Sequence, residues 1–123
     1  MAECDGPAHK IAALKKVTGM EFKTLADRAT AIRRQYRDDE QRRYGRSWTD
    51  EEIALGFVGD VGDLVKLVQA KNGVREIPDV DQRLAHELAD CLWSILTLAN
   101  TYGIDLEQAF LHTMDDLEQH LSE

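Results

Sequence analysis

Cysteine is nearly absent from these 123 residues. Cys4 lies in a polar N-terminal tail and Cys91 in an apolar helical run, so the chain holds neither a disulfide framework nor a CxxC motif for metal or redox chemistry. Cys91 reads as a packed small apolar residue. Long apolar runs are missing too. Every one is broken by Asp, Glu, Lys or Gly well short of the ~20 residues that a membrane span needs, and no basic start leads into an apolar signal segment. A cytoplasmic protein with no membrane partner is expected. Positive charge is in deficit: 15 Lys and Arg stand against 23 Asp and Glu, a formal charge of −8. The resulting field repels polyanions and argues against a nucleic-acid partner. Arg33, Arg34, Arg37, Arg42, Arg43 and Arg46 do cluster, but Asp38, Asp39 and Glu40 interrupt them, which reads as a solvated helix face. The length fits one domain over 1–123, with 1–6 as a flexible tail.

The apolar spacing is helical throughout. Ile11, Leu14 and Val17 predict a short helix from Pro7 that Gly19 ends, and Phe22, Leu25, Ala29, Ile32 and Tyr36 mark a second, half-buried helix that stops near Gly45. Three later helices, near 49–72, 79–102 and 105–121, carry start signals in Thr49 with Glu52, Asp79 with Gln82, and Asp105 with Gln108. Asn72-Gly73 and Gly103 signal stops, and Pro78 keeps the intervening loop extended. No sustained period-2 alternation suggests a strand. The expected fold class is all-α, an antiparallel bundle of four to five helices completed by homo-oligomerisation.

Two acidic pairs interrupt the most apolar helices. Asp60 and Asp63 share a face between Ile53, Val61, Leu64 and Val68, and Glu87 and Asp90 repeat that spacing among Leu84, Leu88, Cys91 and Leu92. The loop between the helices is short, so depth can be counted from the turn. Asp63 and Asp60 lie about 8 and 11 residues before it, Glu87 and Asp90 about 7 and 10 after it, and at ~1.5 Å rise per residue the pairs share one level. Four carboxylates brought together repel one another and resist desolvation unless a cation neutralises them. All-oxygen ligands select a hard ion, Mg²⁺ first and Mn²⁺ second, over Zn²⁺. His86-Glu87 does not open a zinc helix, because Asp90 replaces the second histidine of H-E-x-x-H. Gly56, Gly59 and Gly62 recur on the first of these helices at about 1 kcal/mol each relative to Ala, a cost that close helix packing or room for a ligand would offset.

GDVGDL (59–64) followed by ELADCLWSILTLANTYGIDLEQAF (87–110) resembles the core of the MazG-like nucleotide pyrophosphohydrolases. FVGDVGDL is similar to the Gly-Glu-Val-Gly-Glu-Leu segment of the dCTP pyrophosphatase branch, and Glu87-x-x-Asp90 matches the second acidic motif. The resemblance implies that Asp60, Asp63, Glu87 and Asp90, within the motif-bearing span 49–110, are the catalytic Mg²⁺ ligands. It implies a homodimer or dimer-of-dimers tetramer. It also implies cleavage of a nucleoside triphosphate between the α and β phosphates, giving monophosphate and pyrophosphate, in clearing unwanted nucleotides. Two departures stand out. The first pair is Asp and Asp where the family has Glu and Glu. The Lys-Met-Asp-x-Asn-Arg stretch of the dCTP branch is replaced by Thr113-Met114-Asp115-Asp116-Leu117-Glu118, without its Lys and Asn.

The expected chemistry is metal-assisted hydrolysis, in which Mg²⁺ orients the triphosphate and lowers the pKa of the attacking water while a carboxylate takes the proton. Lys66, Lys71 and Arg75, near the acidic pair or in the following loop, are candidates for phosphate contacts. Trp48 and Tyr44 are candidates for stacking on a base. The alternative is a non-catalytic helical module for dimerisation or nucleotide binding.

Overall fold

Side-chain caps set where the helices begin. The computed structural model describes the backbone of residues 7–123 and the side chains of residues 22–123. Four helices follow one another: α1 (Pro7–Tyr44), α2 (Asp50–Lys71), α3 (Val80–Thr101) and α4 (Leu106–Leu121). At the start of α2 the Thr49 hydroxyl accepts the Glu52 N–H at 3.2 Å, and the Glu52 carboxylate accepts the Thr49 N–H at 3.2 Å. Two of the four orphan N–H groups of a helix start are thereby satisfied. At the start of α4, Asp105 accepts the Gln108 N–H at 3.1 Å. The stops also fall where glycine marks them. Gly73 and Gly103 take φ of +82° and +64°, and the next residues, Val74 and Ile104, donate back to Gln69 and Ala99 at 2.9 Å, closing the last turns as left-handed caps do.

Two expectations fail. α1 runs unbroken through Gly19, because an interior glycine costs a helix only about 1 kcal/mol and no proline follows to enforce a stop. Asp79 makes no capping bond. Its backbone is left-handed, φ 56°, whereas a side-chain cap needs an extended Ncap residue. The expected tail, 1–6 with Cys4, lies outside the described residues, as do the side chains of Ile11, Leu14 and Val17.

α2 and α3 form an antiparallel hairpin, seen in the contacts that step inward from the turn. Lys71 meets Asp81 at 2.6 Å, Asp63 and Glu87 line one cavity, and Asp60 and Asp90 line another. α1 packs across α3. There Trp93 Nε1 donates to the Ala29 carbonyl at 3.2 Å, and the Tyr36 and Trp93 rings meet edge to face at 5.9 Å. The buried apolar core is small: Ala29, Ile53, Leu67, Cys91, Leu96 and Ala99.

Much of the apolar surface is left uncovered. Leu55, Val58, Val61, Val65 and Val68 of α2, and Leu88, Leu92 and Ile95 of α3, are all exposed, and α4 exposes Phe110, Leu111, Leu117 and Leu121. Among the described residues, an added Cβ at Gly56, Gly59 or Gly62 would meet nothing within 4 Å, so close packing against those residues does not explain these glycines. Of the arginine cluster, Arg34, Arg37, Arg42, Arg43 and Arg46 are exposed as expected, and one member departs. Arg33 is buried, 6% exposed, rather than part of a solvated face.

Candidate metal centre and its two flanking cavities

Spacing of three on α2 and on α3 turns each acidic pair toward the other helix. One carboxylate oxygen from each of Asp60, Asp63 and Glu87 falls within 4.8 Å of the others. Asp90 stands beside this trio. It faces the same cavity as Asp60, and its Oδ2 lies 3.1 Å from His86 Nε2.

Electrostatics mark the centre as unsatisfied. Burial, then the charges of Asp90 and Asp63, push the Asp60 carboxyl above its ordinary value. Burial, then the charges of Asp60, Asp90 and Asp63, do the same to Glu87. Among the described residues, Glu87 Oε2 is buried without a hydrogen-bond partner, and a buried acceptor left so costs on the order of 1–3 kcal/mol. A cation among these oxygens would satisfy the orphaned acceptor and cancel the repulsion together. The donor set is all oxygen, which suits a hard divalent ion.

Cavities open on both sides of the acids. The first, about 630 Å³, lies between α1 and the hairpin and is walled by Tyr36, Trp48 and Trp93, with Ile53, Gly56 and Ser94 behind and Asp60 and Asp90 at one edge. A buried network fixes its outer wall. The Arg33 guanidinium pairs with Glu40 at 3.2 Å and donates to the Trp48 carbonyl at 3.0 Å, while Glu40 accepts the Trp48 N–H at 2.8 Å. Both polar groups of the Trp48 peptide are thus tied to α1, which holds the loop before α2 against the cavity. The second cavity, about 470 Å³, is nearer the turn and has a different character: Asp63 and Glu87 line it with Lys66, Arg83 and His86.

The four predicted acids therefore gather, three tightly and Asp90 adjacent. Trp48 and Lys66 each line a cavity next to them. Lys71 and Arg75 line neither; Lys71 is paired with Asp81 and Arg75 is exposed in the α2–α3 loop. Tyr44, 70% exposed, also lines neither cavity. Sequence reasoning missed Arg33, Glu40, Tyr36 and Trp93 around the first cavity and Arg83 and His86 around the second. Arg83 had a signal, since it stands four residues before Glu87 and so on the same face of α3. The Arg33–Glu40–Trp48 network had none, because it depends on the path of the loop.

The family model of the MazG nucleotide pyrophosphohydrolase domain matches residues 49–120. The chain belongs to the MazG family. No curated protein and no solved structure gives a match. The MazG match covers the hairpin with all four acids and the whole second cavity. The α1 wall of the first cavity, with Arg33, Tyr36 and Glu40, lies before it, as does Trp48. Membership points to nucleotide pyrophosphohydrolase chemistry, and the acidic trio is a cluster that could hold a metal ion. Among the described residues no helix is long and apolar enough to cross a membrane.

Proposed function

We propose that the protein is a Mg²⁺-dependent nucleoside triphosphate pyrophosphohydrolase, releasing (d)NMP and pyrophosphate as part of nucleotide housecleaning in the cytoplasm. The observation that carries this reading is the cluster of Asp60, Asp63 and Glu87 around an orphaned Glu87 oxygen, within a MazG domain. Asp60, Asp63, Glu87 and Asp90 would hold the ion. When bound, Mg²⁺ supplies charge neutralisation for the phosphates and acidifies a coordinated water.

The chain's own residues supply the rest. A carboxylate of the cluster takes the proton as the water oxygen bonds to the α phosphorus, and the bond from that phosphorus to the bridging oxygen breaks with its electron pair leaving on pyrophosphate. The base of the nucleotide sits in the first cavity, where Trp48 and Tyr36 offer faces for stacking. The Gly-Glu-Val-Gly-Glu-Leu likeness of 59–64 makes deoxycytidine triphosphate and its modified forms the first substrates to try.

We also propose a homodimer or a dimer of dimers. A row formed by Leu55, Val58, Val61, Val65 and Val68 beside Leu88 and Leu92 is more apolar surface than a soluble chain leaves open without a partner. The open glycines on α2 would let a second backbone approach closely.

The test is pyrophosphate release from a panel of canonical and modified nucleotides with Mg²⁺, with sedimentation run in parallel. Asp63→Asn and Asp90→Asn should each lower turnover by about a hundredfold or more, the scale on which a lost electrostatic group acts. Full activity in both variants would remove these acids from the reaction. Nucleotide binding without turnover across metals and pH would favour a non-catalytic module instead.

A further inference from the structure

We infer that the second cavity is the seat of the leaving pyrophosphate, gripped by Lys66 and Arg83, so that the substrate lies along the hairpin with its nucleoside in the aromatic cavity and its β and γ phosphates toward the α2–α3 turn. This rests on the pyrophosphohydrolase reading of the acidic centre and gives it a direction.

Position supplies the first argument. Along α2 the cavity-lining residues run Ile53, Gly56 and Asp60 for the first cavity, then Asp63 and Lys66 for the second; along α3 they run Arg83 and Glu87 for the second, then Asp90 and Trp93 for the first. The acids form the divide, with Asp60 and Asp90 facing one side and Asp63 and Glu87 the other. An ion held there lies between a space walled by aromatic rings and one whose far side carries Lys66 and Arg83. A nucleoside triphosphate has the same order of parts: a flat ring, a reacting phosphate, then two more phosphates.

Charge supplies the second. The chain carries −8 overall, and most cations near a carboxylate are taken: Arg33 by Glu40, Arg46 by Glu52, Lys71 by Asp81. Lys66 is three residues from Asp63 and Arg83 four from Glu87, both on shared helix faces. Among the described residues, neither has an ion-pair partner within 4.0 Å. Two cations that line a cavity with carboxylates and pair with none are free to take phosphate oxygens, Arg83 through its planar fork and Lys66 as a point charge. Lys66 lies about 4.5 Å further along the axis than Asp63, beyond the acids on the turn side. The charge that develops on the bridging oxygen as its bond to the α phosphorus breaks would then form on the side where both cations sit.

The experiment titrates the full-length protein, with Mg²⁺ present, with inorganic pyrophosphate by calorimetry, and in parallel with the nucleoside monophosphate product. Arg83→Ala and Lys66→Ala should each weaken pyrophosphate binding about five- to tenfold, the double variant more, and Arg83→Lys should recover part of the loss. Monophosphate binding should stay within twofold in all of them. Both side chains are exposed, and unchanged thermal unfolding would certify the fold. Pyrophosphate affinity unchanged in the double variant overturns the inference, and so does an equal loss for the monophosphate, which would mark a general field effect. If the wild type hydrolyses triphosphates but the variants bind pyrophosphate normally, the subsite fails and the hydrolase reading stands. If the wild type hydrolyses none but loses pyrophosphate binding with Arg83, the hydrolase reading fails and the anion subsite stands.

Discussion

Neutralising Glu87 should make the metal-free protein more stable and the protein in Mg²⁺ less so. The Glu87 carboxylate lies within 4.8 Å of those of Asp60 and Asp63. At that separation each like-charge pair costs about 1 kcal/mol under water-like screening and about 3 where water is partly excluded. Asp63 is exposed and Asp60 half-buried, so the lower figure governs, and two pairs together come to about 2 kcal/mol. The raised pKa of Glu87 has the same sign. The folded chain holds that proton more tightly than the unfolded one, so stability falls as pH rises from the ordinary value of 4.5 through the raised one. Glu87→Gln removes the charge and keeps the shape. Without metal it should gain about 1–2 kcal/mol, which for a chain of this size is about 3–8 °C in Tm, and its stability should decline less between pH 4.5 and neutrality. With Mg²⁺ at about a hundred times its Kd the wild type gains about 2.7 kcal/mol. Having lost a ligand, Glu87→Gln should gain much less, and the order of the two proteins should reverse. The assay is thermal unfolding in chelator and in a Mg²⁺ series. A variant less stable than wild type in chelator, or equally stabilised by Mg²⁺, would refute the reasoning.

Other perturbations probe the frame around the centre. Arg33→Met leaves Glu40 buried and unpaired and should cost about 3–5 kcal/mol in urea unfolding, whereas Arg33→Met with Glu40→Leu should recover most of that; equal losses in both would show that the pair is not the cause. Arg46, at 2.7 Å, holds the Glu52 carboxyl down to about 2, so the unfolded chain binds that proton first and stability is lost as pH falls from 4.5 toward about 2. Glu52→Gln should flatten that limb of a urea-midpoint profile, and parallel profiles would exclude the pair from acid stability. Gly73 has open space around it but φ of +82°, so Gly73→Ala should lose about 1–2 kcal/mol from backbone strain alone, read as a fall in Tm; an unchanged Tm would mean that the turn relaxes.

The parts of the fold that rest on local chemistry were legible in the sequence. Thr49, Asp105, Gly73 and Gly103 act through neighbours no more than five positions away, and α2 and α4 begin, and α2 and α3 end, close to where those residues place them. Gly19 misled because its signal holds only at a helix end, which the chain does not have there, while Asp79 does stand at the start of α3 but in a left-handed backbone that makes no side-chain cap. Counting from the turn placed Asp60, Asp63 and Glu87 at one level because two straight helices joined by a short loop leave little else free. Burial was less legible. The apolar α2 suggested a core helix, but only Ile53 and Leu67 on it are buried, since periodicity identifies a face that seeks cover and not what covers it. Arg33 was hidden in a run of arginines, and only the return of the loop 15 residues later gives it Trp48 to hold.

The tie between Arg33, Glu40 and the Trp48 peptide separates two duties along the chain. The acidic cluster is built by one hairpin, while one wall of the aromatic cavity beside it comes from α1, a helix of another stretch, and is fastened to the loop before α2 by one salt bridge. If that cavity takes the ring of a nucleotide, as proposed, substitutions along α1 at positions such as Ile32 and Tyr36 would reshape which ring is accepted without disturbing Asp60, Asp63, Glu87 or Asp90. A lineage of such proteins would be free to change its diet while keeping its chemistry.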